Sequence, residues 1–292
     1  MSPSLEYDLT VFGSFSFDLI EHPSGEKVRC AGGSGNYFSL SAYLAGASVV
    51  PVGYLSSGIK EDVIKKIEKK LPLIYLKRDG DISFHIRYDE NWNDHYLKDI
   101  DRDIEIFDYK TVPETPFVHV AVISDERHQL EILKFFKERG SFVSSGTYLL
   151  RIKRNRMNVL DTIDVSDIFF LNKLEALTLS GSNSFDDALS FFSRMNKMIV
   201  ITKGKDGAVF VKGEKIYEVS CVQPERVRDV TGAGESFAGG FIGSFIRFRD
   251  PLLSLKFGST LSSFVIEDFG INRLLKIERS DVLKRLEEAY HD

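Results

Sequence analysis

Cysteine is scarce in this chain. Cys30 and Cys221 are the only two in 292 residues, and no C-x-x-C spacing occurs. A disulfide framework is therefore not expected, and a reducing compartment is the default. Long apolar runs are missing too: none reaches the ~18 residues that would suggest a membrane-spanning helix. The start, MSPSLEYDLTVFG, has neither a basic leader nor an apolar signal core. The expectation is a soluble, cytoplasmic protein with no membrane partner. Positive charge is not in excess either. The formal net charge is −5, which argues against nucleic acid as a partner, because such binders usually carry a basic face. There is no internal repeat, no low-complexity segment and no long Pro/Ser linker. What is present is ordinary globular usage, 43% hydrophobic and 28% charged residues, at a length that fits one large α/β domain with an insertion.

Most of the chain alternates between strand-like and helix-like patterns. DLTVFGSFSFDLI reads as a strand, a glycine break and a short second strand. From Tyr37 a helix follows, closed by Gly46. ASVVPVGYL is a buried strand, and IKEDVIKKIEKKL places Ile59, Val63, Ile64 and Ile67 at helical spacing. From Phe117 the rhythm resumes: FVHVAVI, SFVSSG, DIFFLN and KMIVITKG are strands, with LRIKRNRMNVLDTI among the helices between them. GAVFVKGEKIYEVS reads as a hairpin, and three helices end the chain, Ala233 to Phe248, Pro251 to Asp268 and Ser280 to Tyr290. Such alternation implies a mostly parallel central sheet with helices on both faces. Residues 81–100 break the rhythm. DISFHIRYDENWNDHYLKDI alternates, is rich in aromatics and reads as an antiparallel hairpin inserted as a small sheet.

Chemistry concentrates in DVTGAGESFAGGF, a glycine loop feeding a helix with Glu235 near its start. Helix N-termini offer unpaired N–H groups and the positive end of the macrodipole, so an anion fits there. Gly232, Ala233 and Gly234 have little side chain to block those amides. The loop is not a P-loop, since GxxxxGK[ST] is absent. It is not the dinucleotide fingerprint either, because it lies late in the chain and no early G-x-G-x-x-G exists. Taken alone, Glu235 reads equally well as a helix-start acid that stabilises the dipole by ~0.3–1 kcal/mol.

Five segments together resemble the ribokinase-like (PfkB) family of carbohydrate kinases, in order and spacing, over nearly the whole chain. DVTGAGESFAGGF resembles the family's C-terminal signature, with Glu235 where the family has Asp. AGGSGNYFSLSAYLAGA resembles the N-terminal Gly-Gly signature, and GSFSFDLI the first strand with its following acid. FLNKLEALTLSG is similar to the N-x-x-E segment, and VITKGKDGAVF to the T-x-G-x-x-G nucleotide strand. The resemblance implies a ribokinase-like α/β fold, one domain over 1–292 with a small antiparallel β lid around 81–100. It also implies transfer of the γ-phosphoryl group of ATP, with Mg²⁺, to a hydroxyl of a sugar, polyol or similar alcohol. A nucleoside kinase of the same family is the alternative, as is a non-catalytic ligand-binding or regulatory relative.

Carried over residue by residue, the resemblance makes Glu235 the general base, with the amides of Gly232, Ala233 and Gly234 stabilising the phosphoryl group in transit. The extra methylene relative to Asp leaves a degenerate site as the other reading. Asp18 would accept substrate hydroxyls, beside Gly32 and Gly33. The family's substrate-binding Asn falls at Tyr37, and Asn36 lies one residue short, so both are candidates. Asn172 and Glu175 would lie near Mg²⁺ and the phosphates through water; otherwise they are a strand-end Asn and an exposed helix Glu. Thr202, Gly204, Gly207 and Thr231 would line the nucleotide. Asp229 would orient the loop or help hold a monovalent cation such as K⁺. In the lid, Phe84, His85, Tyr88 and Trp92 would shield the substrate, although alternation lets only half of them face inward. Lid edges would also allow a homodimer. Two acids that relatives carry are missing, with Ser56 or Ser57 at one place and Ser144 and Ser145 at the other. The family analogy then suggests an acceptor more neutral or more anionic than a plain pentose.

Overall fold

The computed structural model describes residues 7–78, 82–89, 95–100, 107–123 and 125–291. In chain order, the N-terminal part holds β1 (Leu9–Phe15), β2 (Phe17–Glu21), β3 (Lys27–Ala31), α1 (Ser34–Ala45), β4 (Val49–Leu55), α2 (Glu61–Glu68) and β5 (Tyr75–Lys77). There follow β6 (Phe84–Tyr88), β7 (His95–Ile100), β8 (Phe117–Val120), α3 (Glu126–Glu138), β9 (Phe142–Gly146), α4 (Leu149–Arg154) and α5 (Arg156–Val165). The remainder is β10 (Ile168–Asn172), α6 (Lys173–Ser180), α7 (Phe185–Arg194), β11 (Met198–Thr202), β12 (Ala208–Lys212), β13 (Lys215–Val219), α8 (Ala233–Phe248), α9 (Pro251–Val265) and α10 (Arg279–Ala289).

Nine strands form the main sheet, in the order β13-β12-β11-β10-β9-β8-β1-β4-β5. Pairing is parallel from β5 to β11 and antiparallel only at β11–β12–β13, where a hairpin ends the sheet. Alternation along each central strand divides its side chains between two cores. Leu9, Val11, Ile168 and Val200 join α1, α8 and α9 on one face. Phe169, Leu171, Ile199 and Ile201 pack under α5, α6 and α7 on the other, and Phe12, Val118 and Val120 pack there beside α3. Both faces of the sheet are covered, which is why these strands read as continuous apolar runs. Among the described residues no helix is long and apolar enough to cross a membrane.

The smaller sheet has the order β3-β2-β6-β7. The pairs β2–β3 and β6–β7 are antiparallel, but β2 and β6 run parallel, with Leu19 opposite His85. The lid is therefore not made by the insertion alone: half of it comes from the chain directly after β1. Three local expectations are corrected. β1 runs through Gly13 to Phe15, and the break falls at Ser16. α1 starts at Ser34, not Tyr37. The single helix expected over LRIKRNRMNVLDTI is two, divided at Asn155, whose side chain accepts the Asn158 N–H and starts α5.

Candidate active site

At β1 the strand order reverses: the chain builds β4 and β5 on one side and β8 to β11 on the other. In open α/β sheets the crevice at the carboxyl ends of such strands is where ligands bind. The residue following β1 that matters most is Asp18. It is 1% exposed, and its Oδ1 accepts the Phe84 N–H from the lid (3.1 Å). Burial pushes its carboxyl up to about 7, opposed by hydrogen bonds from Ser16 and Phe84 and assisted by the charge of Asp229. Gly32 makes room for it, since a Cβ there would lie 2.2 Å from Asp18 Oδ2. Gly33 then caps α1.

The structure separates Asn36 from Tyr37. Asn36 is fully buried and donates from Nδ2 to the Gly32 carbonyl (2.7 Å), holding the Gly-Gly turn from inside. Tyr37, also buried, crosses to the second signature. Its ring lies so close to Gly232 that a Cβ there would fall 2.4–2.5 Å from three ring carbons. Gly232 has φ 75°, a left-handed conformation that glycine takes without strain. Tyr37 is thus the seat of the glycine loop.

Asp229 holds that loop from the other side. It is fully buried; Oδ1 accepts the Thr231 N–H (2.9 Å) and the Thr231 hydroxyl (2.6 Å), and Oδ2 accepts the Gly270 N–H (3.1 Å). Burial raises its carboxyl above the ordinary value. α8 begins at Ala233, and no side chain caps its N-terminus. Gly234 is exposed, with nothing within 4 Å of where its Cβ would stand. The Ala233 N–H, expected to face an anion, instead donates to the Val230 carbonyl (3.2 Å). It closes the turn, so it is not free for the anion-binding role expected of it. Glu235 stands half-buried in the first turn of α8.

Glu235 lies within electrostatic reach of the N-x-x-E motif. Glu175 is pushed up to about 7, first by burial, with the charge of Glu235 adding to the rise and hydrogen bonds from Asn172 opposing it. Asn172 and Glu175 form a capping box at the start of α6: Asn172 Oδ1 accepts the Glu175 N–H (2.9 Å), and Glu175 Oε2 accepts the Asn172 N–H (2.8 Å). Burial here is the reverse of the plain expectation, with Glu175 buried and Asn172 exposed. Asn172 is in register with Thr202 at the neighbouring strand end. Gly204 is exposed beyond it, whereas Gly207 is buried against the Val219 carbonyl and serves the hairpin. Thr231, expected along the nucleotide, turns its hydroxyl to Asp229 and to Tyr88 of the lid (2.7 Å).

Alternation along β6 places Ile86 and Tyr88 in the lid core with Ile20, Cys30 and Phe269, and Phe84 packs against it. His85 faces away and pairs with Glu21 (2.7 Å), so it does not shield the site. Trp92 lies outside the described residues. Ser144 and Ser145 are buried, tied to His119 (2.9 Å) and to the Val120 carbonyl (2.6 Å). They do not reach an open surface, and the acceptor chemistry inferred from them gains no support. Among the described residues no group of three or more His, Cys, Asp or Glu is placed to hold a metal.

Phosphoryl transfer asks a protein for positioning and charge stabilisation more than for covalent chemistry. An uncapped helix start with a carboxylate in its first turn, preceded by a loop bonded to a lid residue, has the chemistry to supply both. A family model described as pfkB family carbohydrate kinase matches residues 122–277, more than half of the chain. The cytidine kinase of Thermococcus kodakarensis is 26% identical over 277 residues, covering 90% of this chain and 97% of that one. The crystal structure of the Methanocaldococcus jannaschii nucleoside kinase, described as an archaeal member of the ribokinase family, superposes with a TM-score of 0.72 at 22% identity, covering 97% and 99% of the two chains. The Vibrio cholerae fructokinase, in a form with fructose, ADP and calcium, gives 0.79 at 16% identity, covering 97% and 99%. The chain belongs to the pfkB family of carbohydrate kinases. It is a phosphotransferase with a hydroxyl acceptor, a sugar or nucleoside kinase, and kinases of this family use ATP with a divalent cation.

Proposed function

We propose that this chain transfers the γ-phosphoryl group of ATP to a hydroxyl on the ribose of a nucleoside, with Glu235 as general base. The observation that carries the reading is the position of Glu235, in the first turn of α8, directly after a loop clamped between Tyr37 and Asp229. From there the carboxylate takes the proton of the acceptor hydroxyl as the hydroxyl attacks phosphorus. The amides of Gly232 and Gly234 receive the charge on the transferring group. Asp18, under the lid, accepts a second hydroxyl of the same acceptor and orients it. A ribose offers such neighbouring hydroxyls. The near full-length likeness to a cytidine kinase favours a base attached to that ribose.

Mg²⁺ would supply charge neutralisation between the phosphates. Such an ion is commonly held by one or two carboxylates together with the substrate phosphates. Glu175 and Glu235, two carboxylates within electrostatic reach of each other, favour a cation beside them, and Asn172 and Glu175 would meet it through water. Asp229 is committed to the loop by three hydrogen bonds, so we assign it that role rather than that of a K⁺ ligand. A lid-mediated dimer would pair at a lid edge. At the β3 edge, exposed Lys27 and Arg29 oppose pairing, and sedimentation velocity decides the matter.

The test is ADP release with ATP and Mg²⁺ over a panel of cytidine, adenosine, inosine, ribose and fructose. Turnover led by nucleosides is the expected result. Turnover on free sugars alone moves the acceptor class. ATP-analogue binding with no turnover on any acceptor favours a regulatory protein.

A further inference from the structure

Besides the residues that would touch the reactants, one contact joins the lid to the glycine loop. Thr231 Oγ1 lies 2.6 Å from Asp229 Oδ1 and 2.7 Å from the Tyr88 hydroxyl. The Thr231 hydroxyl donates to Asp229, and its oxygen is then left to accept from Tyr88. The result is a directed chain, Tyr88 to Thr231 to Asp229, that starts on β6 and ends on the residue holding the loop. Tyr88 is only 7% exposed, so its hydroxyl needs a partner in this position. The contact has apolar backing. Tyr88 packs with Ile20, Cys30, Ile86 and Phe269, and Val230, next to Thr231, packs against the same cluster. Asp229 also takes the N–H of Gly270, the neighbour of Phe269. The underside of the lid therefore grips both segments that Asp229 ties together.

We infer that Tyr88 is a positioning residue for phosphoryl transfer: its hydroxyl couples the seating of the lid to the geometry of the Gly232 and Gly234 amides through Thr231 and Asp229. The inference rests on the kinase reading given above for its kinetic readout. Its physical content is that the loop is held in place from three directions: Tyr37 below, Asp229 beside it and Tyr88 above. When the lid is seated over an acceptor, the Tyr88 hydroxyl completes the chain and the loop is set. Without that hydroxyl the lid still packs through its ring, but the loop loses one of its fixings.

The test uses the full chain with ATP, Mg²⁺ and the acceptor that turns over best. Tyr88→Phe keeps the ring and removes only the hydroxyl. The loss of one hydrogen bond predicts a fall in kcat of about three- to tenfold, with the KM for ATP within about twofold of the parent. Thr231→Val, which also removes the hydroxyl's bond to Asp229, should show at least that fall, and the double variant no more than Thr231→Val alone, because the Tyr88 link is already lost there. Thr231→Ser, which keeps a hydroxyl, should restore the parent kcat. Hydrogen exchange of the loop amides over residues 230–234 gives a readout independent of turnover, and should be faster in Tyr88→Phe at unchanged Tm. Unchanged kcat together with unchanged loop exchange in Tyr88→Phe overturns the inference, as do losses that multiply in the double variant. If the parent turns over no acceptor, the kinase reading falls, and loop exchange alone decides whether the coupling exists.

Discussion

On the proposed acceptor side of the site, the ring of Tyr37 lies against Gly232, and Asp18 receives the backbone of Phe84; each contact joins distant parts of the chain. On the proposed nucleotide side, Asn172 and Glu175 hydrogen-bond one another within a single helical turn, and Thr202 pairs in ordinary strand register. One half of the site is assembled by tertiary packing, the other by local rules of capping and pairing. Catalysis depends on where a charge is held, so tolerance to substitution should differ between the two. The acceptor side should fail in activity while the fold survives, whereas the nucleotide side should lose mainly stability.

The largest effect is expected at Gly232. Alanine there meets the Tyr37 ring and a φ of 75°, and displacing the loop by ~1 Å should lower kcat on the order of 100-fold. Steady-state kinetics with circular dichroism as a control measures this. A kcat within about threefold of the parent would show that the loop is not held as described. Next is Asp18→Asn. Removing a charged hydrogen-bond partner should raise the acceptor KM about 10- to 100-fold. The same variant carries a pH signature. Burial lifts the folded Asp18 carboxyl from 3.8 to about 7, so the folded chain keeps a proton that the unfolded chain has lost between those values. Its stabilising contribution is fully present below about pH 4 and is lost as pH rises toward 7. The asparagine amide carries no such proton, so the Tm of the Asp18→Asn variant should gain on the parent between about pH 4 and about pH 7. A pH-independent difference would contradict the burial argument. The smallest effect is expected across the cleft. Asn172→Ala removes half of a capping box and should cost about 1 kcal/mol in chemical denaturation, with a fall in kcat well below that at Gly232, since only a water-mediated contact to the cation is lost with it. A large fall in kcat at that modest stability cost would break the contrast.

The difference between the two halves also explains what could be read in advance. Local signals were legible: the strand–helix rhythm, the terminal hairpin, and the glycine loop entering α8 with Glu235 in its first turn. N-x-x-E is itself a capping-box pattern, so the reciprocal bonds of Asn172 and Glu175 had a local signal, whereas the burial of Glu175 had none. The division between α4 and α5 was hidden because the charged, helix-favouring run continues through Asn155, and only its capping bond to Asn158 reveals the start of α5. Contacts between remote segments left no local trace. Nothing near Phe17 signals pairing with β6, and nothing near Tyr37 signals Gly232. Tyr88 stood out as a lid aromatic, but its bond to Thr231 required the fold.

The central claim is that Glu235 is the base, its extra methylene taken up by the site. The most direct measurement is single-turnover phosphoryl transfer by the parent, Glu235→Asp and Glu235→Gln at saturating ATP, Mg²⁺ and acceptor. The account predicts that Gln, isosteric but without a basic oxygen, loses on the order of 10²–10⁴ in rate, while Asp keeps measurable activity. Glu235→Gln turning over as fast as the parent would contradict it.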